Sequence, residues 1–495
     1  MSVRPARRSR GGAPRRERRP VPERIEELRQ RAEQGPPTDP EPFLEALSDP
    51  DPNVRCVATW GLGHLREMRA RAALETALLD PDSRVRALGA GALGALGHAG
   101  SAPPLRGALG DPTGLVRCQA AWALAALADR DSVPALLPHI ADPEWETRRA
   151  VAAALGRTPT PEAVVALLGR FDDPHERVRR EAVLALRGAG VPSVVRAVRP
   201  MLEDPSGRVR VAAAIVLGQW RDAGSVPALL RHATEDTTFV RPAVLIALGR
   251  IGDPSSVPTL VAQVHDGPSW TRVCALRALA EIGGPEARTA GRSALEDESW
   301  SVRGSAAEVI GRAGEPEDLG RLLQRLEDVH PWPRRGALYA LGRLGLVEAA
   351  PRIREELKHP SAEVRLAAIW TLGRLGDDGA GETLAGMLRA LPLLRPGASG
   401  GSPLVETEEG PTLVSDADAR QFDALVQALG RLVGSNSDPL VLRALLDARA
   451  RVREEEWERP ARLPPPELEG SQPVPTLRML FEAALPGLAE EEGEI

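Results

Sequence analysis

The chain has 495 residues, a formal net charge of −6, 42% hydrophobic residues and only 3% aromatic residues. So few rings exclude a large core built on aromatic side chains, and the hydrophobic fraction excludes a wholly disordered chain. Three cysteines far apart in sequence argue against a disulfide framework or a cysteine-rich zinc site. No apolar run reaches the ~20 residues of a membrane span. We therefore expect a cytoplasmic protein in a reducing compartment, with no cofactor and no membrane contact.

The first predicted segment is a basic tail over residues 1–21. Its first twenty residues hold eight arginines and a single acid, Glu17. A segment so charged and so poor in apolar residues cannot bury a core, so we predict that it is disordered. Two interpretations stay open, a solvated tail and a contact with nucleic acid or an acidic protein.

An internal repeat of 31 residues dominates residues 22–390. An arginine, here called the repeat arginine, marks eleven copies without insertion: Arg55, Arg86, Arg117, Arg148, Arg179, Arg210, Arg241, Arg272, Arg303, Arg334 and Arg365. Leucine or isoleucine stands seven residues after it, and a small or β-branched residue three after it. Positions −1, +3 and +7 share one helical face, so each copy predicts a helix that buries this face.

A tight turn precedes each of these helices. The residue six before the repeat arginine is acidic in ten of eleven copies, and proline often follows it, as in Asp80-Pro81. Proline there stops the preceding helix. A glycine after the helix, such as Gly97, Gly252 or Gly376, suits a C-terminal cap. Each copy therefore predicts a helix A, a turn, a helix B and a glycine-containing turn.

The repeat is interrupted after Arg365. Residues 416–431 match the template again, with Asp416 at the acidic position and Phe422 in place of the arginine. The step to Phe422 is 57 residues, so we predict a flexible insertion loop over 391–415, either a lid or docking loop or a tolerated insertion. The remaining predicted segments are a last repeat and closing helix (416–458), a Pro-rich linker (459–475), and a short helix with an acidic tail (476–495).

The phrase D-P-x-x-x-V-R-x-x-A-x-x-x-L-G, as it stands at 80–94 and in its copies, resembles the HEAT family. It is most similar to the short HEAT-like repeats of phycobilin lyases. The resemblance implies an all-α, right-handed α-solenoid of about 12 two-helix repeats, with the second helices lining the concave side. HEAT-type deoxyhypusine hydroxylases hold iron with several His-Glu pairs, whereas this chain has only His175-Glu176, so we expect no such metal site.

The most regular charged residues are the acid and the repeat arginine. A catalytic pair occurs once, whereas this pair recurs, so we interpret it as a structural ladder along the turns. In this ladder the aspartate accepts hydrogen bonds from backbone N–H groups and from arginine. Its predicted members include Asp80, Arg86, Asp111, Arg117, Asp142, Arg148, Asp173 and Arg179.

Two other sets of residues differ between copies and are candidate partner-binding residues. Aromatic residues two or three before the repeat arginine are Trp145, Phe239, Trp270, Trp300 and Trp332. They form either an exposed binding ridge or covers over neighbouring turns. Arginines nine after the repeat arginine are Arg157, Arg250, Arg312, Arg343 and Arg374. They form either a basic strip for an acidic peptide or phosphate chain, or a solvated face neutralised by acids such as Glu281 and Glu308.

These observations predict a non-catalytic scaffold that binds protein partners through its concave groove and an aromatic edge. The sequence contains no Walker loop, nucleophile elbow or HExxH motif. Two alternatives stay open. One is a chromophore attachment factor similar to the phycobilin lyases, and the other is a binder of phosphate chains, such as nucleic acid, through the arginine strip.

Overall fold

The computed structural model describes residues 19–34, 39–390, 393–395, 404–407, 410–413, 416–433, 443–445, 448 and 479. The chain divides into two compact units, Met1–Trp220 and Arg221–Ile495. Most of the predicted basic tail, the Pro-rich linker, almost all of the C-terminal segment and most of the closing helix lie outside the described residues. Each unit is described here by itself.

The first unit contains helices α1 to α13. Their bounds are α1 Val21–Glu33, α2 Glu41–Ala46, α3 Pro52–His64, α4 Arg71–Ala77, α5 Ser83–Leu96, α6 Ala102–Ala108, α7 Gly114–Leu127, α8 Val133–Leu136, α9 Trp145–Arg157, α10 Pro161–Leu168, α11 Glu176–Ala185, α12 Pro192–Val198 and α13 Gly207–Gln219. Short 3₁₀ turns lie at Met68–Ala70, Ala99–Ser101, Arg130–Ser132, Leu137–Ala141, Leu186–Gly188 and Arg199–Glu203.

The second unit contains helices α14 to α25. Their bounds are α14 Val226–Glu235, α15 Arg241–Ile251, α16 Val257–Asp266, α17 Ser269–Ile282, α18 Pro285–Ala294, α19 Trp300–Ala313, α20 Leu319–Arg325, α21 Pro331–Arg343, α22 Ala350–Glu356, α23 Ala362–Leu375, α24 Gly381–Ala390 and α25 Asp416–Val433. Its 3₁₀ turns lie at Ala223–Ser225, Pro254–Ser256, Pro316–Asp318, Val347–Ala349 and Asp378–Ala380.

Odd-numbered helices are the B helices and even-numbered helices are the A helices. Within each unit, a B helix packs against the B helix of the next repeat and against an A helix. The leucine seven after the repeat arginine lies in the core between the two rows, as Leu93 in α5 and Leu248 in α15, both fully buried. Stacked two-helix repeats that share one core form an α-solenoid, which confirms the predicted all-α fold.

The predicted insertion loop contains short strands. β1 (Leu393–Arg395), β2 (Leu404–Thr407) and β3 (Gly410–Leu413) form an antiparallel sheet in the order β1-β2-β3, with Leu394 opposite Val405 and Val405 opposite Thr412. The sequence analysis weighed only the glycine and proline content and overlooked the β-branched residues of β2 and β3, which favour strands. The flexibility and the role of this insertion stay predictions.

The repeat arginines of the first unit join consecutive repeats. Arg86 donates from Nε and Nη2 to Asp111, over 2.7 and 3.0 Å, and from Nη1 to the carbonyl of Asp80, over 2.9 Å. Asp111 also accepts the N–H of Thr113, over 2.8 Å. Each such rung therefore ties one turn to the carboxylate 25 residues further along the chain. The same two-bond geometry occurs in Arg55–Asp80, Arg117–Asp142, Arg148–Asp173 and Arg179–Asp204.

An additional rung precedes the copies found in the sequence. Arg24 of α1 donates to Asp49 over 2.8 Å, also 25 residues away. Sequence comparison missed it because Glu27 and Arg31 occupy the positions three and seven after Arg24, where the template has small and large apolar residues.

The rungs control the ionisation of their carboxyl groups. Burial would raise the pKa of Asp111, but the hydrogen bonds from Arg86 and from the Thr113 N–H outweigh burial and hold this pKa below its usual range. The pKa values of Asp80, Asp142 and Asp173 are lowered in the same way against burial. These aspartates are therefore charged members of buried ion pairs.

Glycine sets the spacing between B helices. Gly94 lies within α5, and a Cβ added there would stand 2.7 Å from Cα of Ala123 in α7. Gly249 of α15 has the same relation to Cα of Ala278 in α17, at 2.5 Å. The glycine eight after the repeat arginine therefore permits close helix contact. The chain turns only later, at Gly97 and Gly252, whose φ angles of 72° and 78° place them in the left-handed region that suits a C-terminal cap.

Candidate functional site

Four exposed aromatic residues follow one another along the second unit. Phe239 is 62% exposed, Trp270 59%, Trp300 45% and Trp332 38%, each at or just before the first turn of a B helix. We call these four residues the aromatic edge. Trp145, the fifth residue of the predicted ridge, lies in the first unit and is half-buried.

The edge residues also contact neighbouring turns. Trp300 stacks on His330, the residue before α21, with ring centroids 4.1 Å apart, and meets Trp332 edge-on at 6.4 Å. Trp332 in turn lies directly against Gly304 of α19, where a Cβ would collide with the indole. Trp300 and Trp332 therefore cover neighbouring parts of the chain with one part of each ring, and more than a third of each side chain stays exposed.

A cavity of about 380 Å³ adjoins the aromatic edge. We call it the Arg–Trp groove. Its lining residues come from α17, α19 and α21: Arg277, Gly304, Glu308, Gly311, Trp332, Arg335, Gly336, Tyr339, Ala340 and Arg343. Four of these residues are glycine or alanine, and the charged ones are three arginines and one acid. Arg335 lies 3.9 Å from the ring centroid of Trp332 and pairs with Glu363 over 3.0 Å, so its guanidinium is held in place.

The groove is built from positions that the sequence analysis treated separately. Positions −2, +1, +5 and +9 around the repeat arginine are three or four residues apart, so they share one face of the B helix. In α21 these positions are Trp332, Arg335, Tyr339 and Arg343. This spacing could have predicted the groove from the sequence, because it places Trp332 and three further lining residues on one surface of α21.

The predicted arginine strip is divided among different contacts. Arg343 lines the groove, whereas Arg312 pairs with Glu281 and Glu308 at 3.6 Å each, as the alternative interpretation supposed. Arg374 donates from Nε to the carbonyl of Gly342 over 3.0 Å and lies over Trp370. Arg157 and Arg250 are exposed and belong to different units. The structure therefore brings only Arg343 of this set into the groove.

The B helices of the first unit carry a more apolar cavity of about 540 Å³. Trp60, which is 40% exposed, stacks on His64 at 5.2 Å, and Leu88 and Leu115 complete the apolar wall. Other aromatic residues five after the repeat arginine differ in exposure, since Trp122 and Tyr339 are half-buried and Trp370 is only 3% exposed.

Two kinds of side chain among the described residues bear on catalysis, possible metal ligands and cysteine thiols. Among them, no group of three histidine, cysteine or acidic side chains is arranged to hold a metal ion. Burial raises the pKa of the Cys118 thiol and raises that of Cys274 to about 11. Such thiols remain protonated and are poor nucleophiles. Among the helices that the structure describes, each is too short or too polar to cross a bilayer.

Several solved structures are similar to this chain over at least half of its length. The E. coli protein YibA is 20% identical, with 54% of this chain and 98% of YibA covered at a TM-score of 0.42. The CpcE–CpcF phycocyanin lyase of Nostoc sp. PCC7120 is 25% identical, with 52% and 93% covered at a TM-score of 0.28. The karyopherin Kap121p, bound to the extreme C-terminus of the protein phosphatase Cdc14p, is 13% identical, with 85% and 54% covered at a TM-score of 0.55. At such identity the likeness to the karyopherin shows the fold alone.

No curated protein matches this chain. The family described as HEAT repeats matches residues 40–117, 108–187, 195–273, 265–332 and 319–392. These segments overlap or follow one another through most of both units, and each contains at least two of the repeat arginines. The chain belongs to the HEAT-repeat family.

Proposed function

We propose that the chain is a non-catalytic scaffold that binds a protein partner through the aromatic edge and the Arg–Trp groove. The observation that carries this proposal is the row of four exposed aromatic residues on successive repeats. Large exposed rings are uncommon on surfaces without a partner, and tryptophan is enriched among the residues that dominate binding energy. HEAT-repeat solenoids serve as scaffolds for protein interactions, and this row supplies a specific contact surface.

The chemistry of the groove favours an extended, acidic segment of the partner. Arg277, Arg335 and Arg343 provide guanidinium donors, with Glu308 as the acid in the lining. The indole of Trp332, which lines the groove, offers apolar contact to such a segment. The karyopherin of similar fold, bound to the extreme C-terminus of a phosphatase, supports a protein segment as the ligand.

The test begins with affinity purification of the chain from its native host and identification of the partner by mass spectrometry. Binding of the purified partner is then measured by calorimetry for the wild type and for Trp270→Ala with Trp300→Ala. We expect the double variant to bind at least tenfold more weakly, since residues that dominate an interface contribute about 2 kcal/mol or more each. Val165→Ala in the first unit, an apolar side chain that is 70% exposed, is the matched control and should bind normally.

Circular dichroism distinguishes lost binding from lost structure. Both variants should keep the helix content of the wild type, because the substituted side chains are largely exposed. Unchanged affinity of the double variant would remove the aromatic edge from the proposal. The lyase-like alternative has its own test, in which formation of a covalent adduct from a bilin and an acceptor protein would show chromophore attachment.

A further inference from the structure

A compact arginine cluster lies on the B helices of the first unit. A cavity of about 140 Å³ is lined by Arg149 of α9, Glu176, Arg177 and Arg180 of α11, and Arg208 of α13. We call it the four-arginine pocket. Arg149 and Arg180 are equivalent residues one after the repeat arginine, and Arg177 and Arg208 are equivalent residues two before it. Stacking of three B helices therefore places four guanidinium groups around one point.

Two of these arginines are held by aromatic and acidic neighbours. The Arg149 guanidinium lies 5.3 Å from the ring centroid of Trp122 and pairs with Glu181 over 3.3 Å. The Arg177 guanidinium lies 5.3 Å from the ring centroid of Trp145. Trp145 is itself fixed by a parallel stack on His175, with centroids 3.9 Å apart. Supports of this kind reduce the entropy that a ligand must overcome to order the arginines.

The other two arginines have unused donors. Within the described ranges, Arg180 and Arg208 make no hydrogen bond or salt bridge, although both face the pocket. Two carboxylates, Glu176 and Glu181, oppose four guanidinium groups, which leaves an excess of two positive charges. Glu176 accepts a hydrogen bond from the hydroxyl of Ser206, and this bond, with the charges of Arg208 and Arg177, holds its pKa below the usual range.

We propose that the four-arginine pocket binds the phosphoryl group of a phosphorylated protein segment. A phosphoryl group carries a charge of about −1.5 to −2 and three strong acceptor oxygens, which match the excess charge and the free donors. A volume of 140 Å³ is room for about five groups of the size of a water molecule, the number of heavy atoms in a phosphate. Arginine clusters are an established means of recognising phosphorylated peptides in other folds.

The surroundings favour one phosphoryl group over a phosphate chain. The residue two before the repeat arginine in α9 is Glu146, and the residue one after it in α13 is Val211. The arginine cluster therefore does not continue into the equivalent positions of the flanking repeats. Binding of nucleic acid depends instead on many phosphate contacts along a continuous basic track. The inference rests on the proposed function only in that the partner is a protein, and it does not involve the aromatic edge.

The experiment uses the full chain and two pools of fluorescein-labelled nonapeptides, one with phosphoserine at the centre and random flanks, the other with serine. Fluorescence anisotropy at constant ionic strength should show at least tenfold tighter binding of the phosphoserine pool. Arg180→Gln with Arg208→Gln should abolish this preference, since it removes donors that bind no other described residue. Arg130→Gln with Arg196→Gln removes two exposed arginines elsewhere in the first unit and is the matched control, which should bind as the wild type does.

Three outcomes would overturn the inference. Equal affinity for the two pools would show that phosphate is not recognised, and a preference that survives in Arg180→Gln with Arg208→Gln would place it elsewhere. Tighter binding of a 20-nucleotide single strand than of the phosphoserine pool, lost in the same variant, would assign the pocket to nucleic acid. Inorganic phosphate should compete only weakly, because it lacks the flanking peptide. Trp270→Ala with Trp300→Ala should keep phosphopeptide binding, so failure of either proposal leaves the other testable.

Discussion

The ladder is regular in the first unit and irregular in the second. From Arg55 to Arg179, five successive rungs share the same pair of hydrogen bonds to the next aspartate. In the second unit, the described bonds of Arg241 go only to backbone carbonyls, and Arg272 reaches Asp297 through Nη2 alone. The exposed rings of Phe239 and Trp270 lie two residues before these two arginines. Arg303 keeps both hydrogen bonds to Asp328 although Trp300 lies three residues before it, so the irregularity is confined to some copies of the second unit, such as those of Arg241 and Arg272.

Local sequence explains part of this difference. In the first unit proline follows the rung aspartate, and the residue before a proline favours extended backbone, as at Asp204 with ψ of 139°. Asp266 is followed by Gly267 instead and remains the last residue of α16, where it is exposed. The Asp266 carboxylate therefore does not lie where the first-unit aspartates accept hydrogen bonds from a repeat arginine.

Acid is expected to have the largest effect on the regular ladder. Folding lowers the pKa of four rung aspartates from an ordinary value of about 3.9; they are Asp80, Asp111, Asp142 and Asp173. These four carboxylates therefore stabilise the folded state fully when the pH is above their ordinary, unfolded-state pKa. The stabilisation is lost as the pH falls through their lower folded-state pKa values. Urea unfolding followed by circular dichroism should give a constant midpoint above pH ~5 and a falling one below pH ~4. A midpoint that stays constant down to pH ~2 would contradict this assignment.

Removal of one rung should have the next largest effect. The Asp173 carboxylate is 1% exposed, and Asp173→Ala leaves Arg148 with a buried charge and no carboxylate. Breaking a buried ion pair from one side lowers the free energy of unfolding by about 3–5 kcal/mol. Asp266→Ala, at the exposed equivalent in the second unit, should change it by less than about 0.5 kcal/mol. Urea titration of both variants measures the contrast, and equal losses would show that the rung contributes nothing specific.

A smaller effect is expected where B helices approach closely. Gly249→Ala would place a methyl group 2.5 Å from Cα of Ala278, and overpacking of this kind lowers the free energy of unfolding by about 1–3 kcal/mol. Gly320→Ala in α20 is the matched control, because an added Cβ meets no atom within 4 Å. It should raise stability by about 0.5–1 kcal/mol through helix propensity. Thermal unfolding of both variants should therefore show shifts of opposite sign.

The smallest effect is expected at the one copy without an acid. His359 replaces the aspartate, and Glu356, 3% exposed, accepts two bonds of 3.1 Å from Arg334 in its place. His359→Asp should therefore change the free energy of unfolding by less than about 0.5 kcal/mol, since Arg334 already has a carboxylate. In a Glu356→Ala background the same substitution should restore much of the lost stability. If urea unfolding shows no restoration, the two residues are not alternatives for the same rung.

The sequence was sufficient to predict the repeat architecture, because the period and the apolar positions are local. Leu93 and its equivalents lie in the core as their spacing predicts. The acid and the repeat arginine were interpreted as a ladder along the turns. Each rung in the structure connects two repeats, because stacking brings together residues 25 positions apart. The contact between Gly94 of α5 and Ala123 of α7 likewise depends on the stacking of two repeats.

The candidate sites were harder to predict because they require several helices at once. The four-arginine pocket combines residues of α9, α11 and α13 that occupy two different repeat positions. The sequence analysis considered arginines and aromatic residues as separate sets. Trp145 under Arg177 and Trp332 under Arg335 show that the two sets act together, and only their positions in space reveal this.

The rung spacing also limits how this gene can change in length. Because each rung joins positions separated by the same distance, duplication or deletion of a whole 31-residue copy preserves every remaining pair. An insertion of any other length within a rung would separate its two partners. The residue 25 positions after Arg365 is Ala390 in place of an acid, and the long insertion of this chain begins at that point. Duplication or loss of whole copies would therefore keep the remaining rungs intact, and the insertion of this chain lies beyond the last repeat arginine.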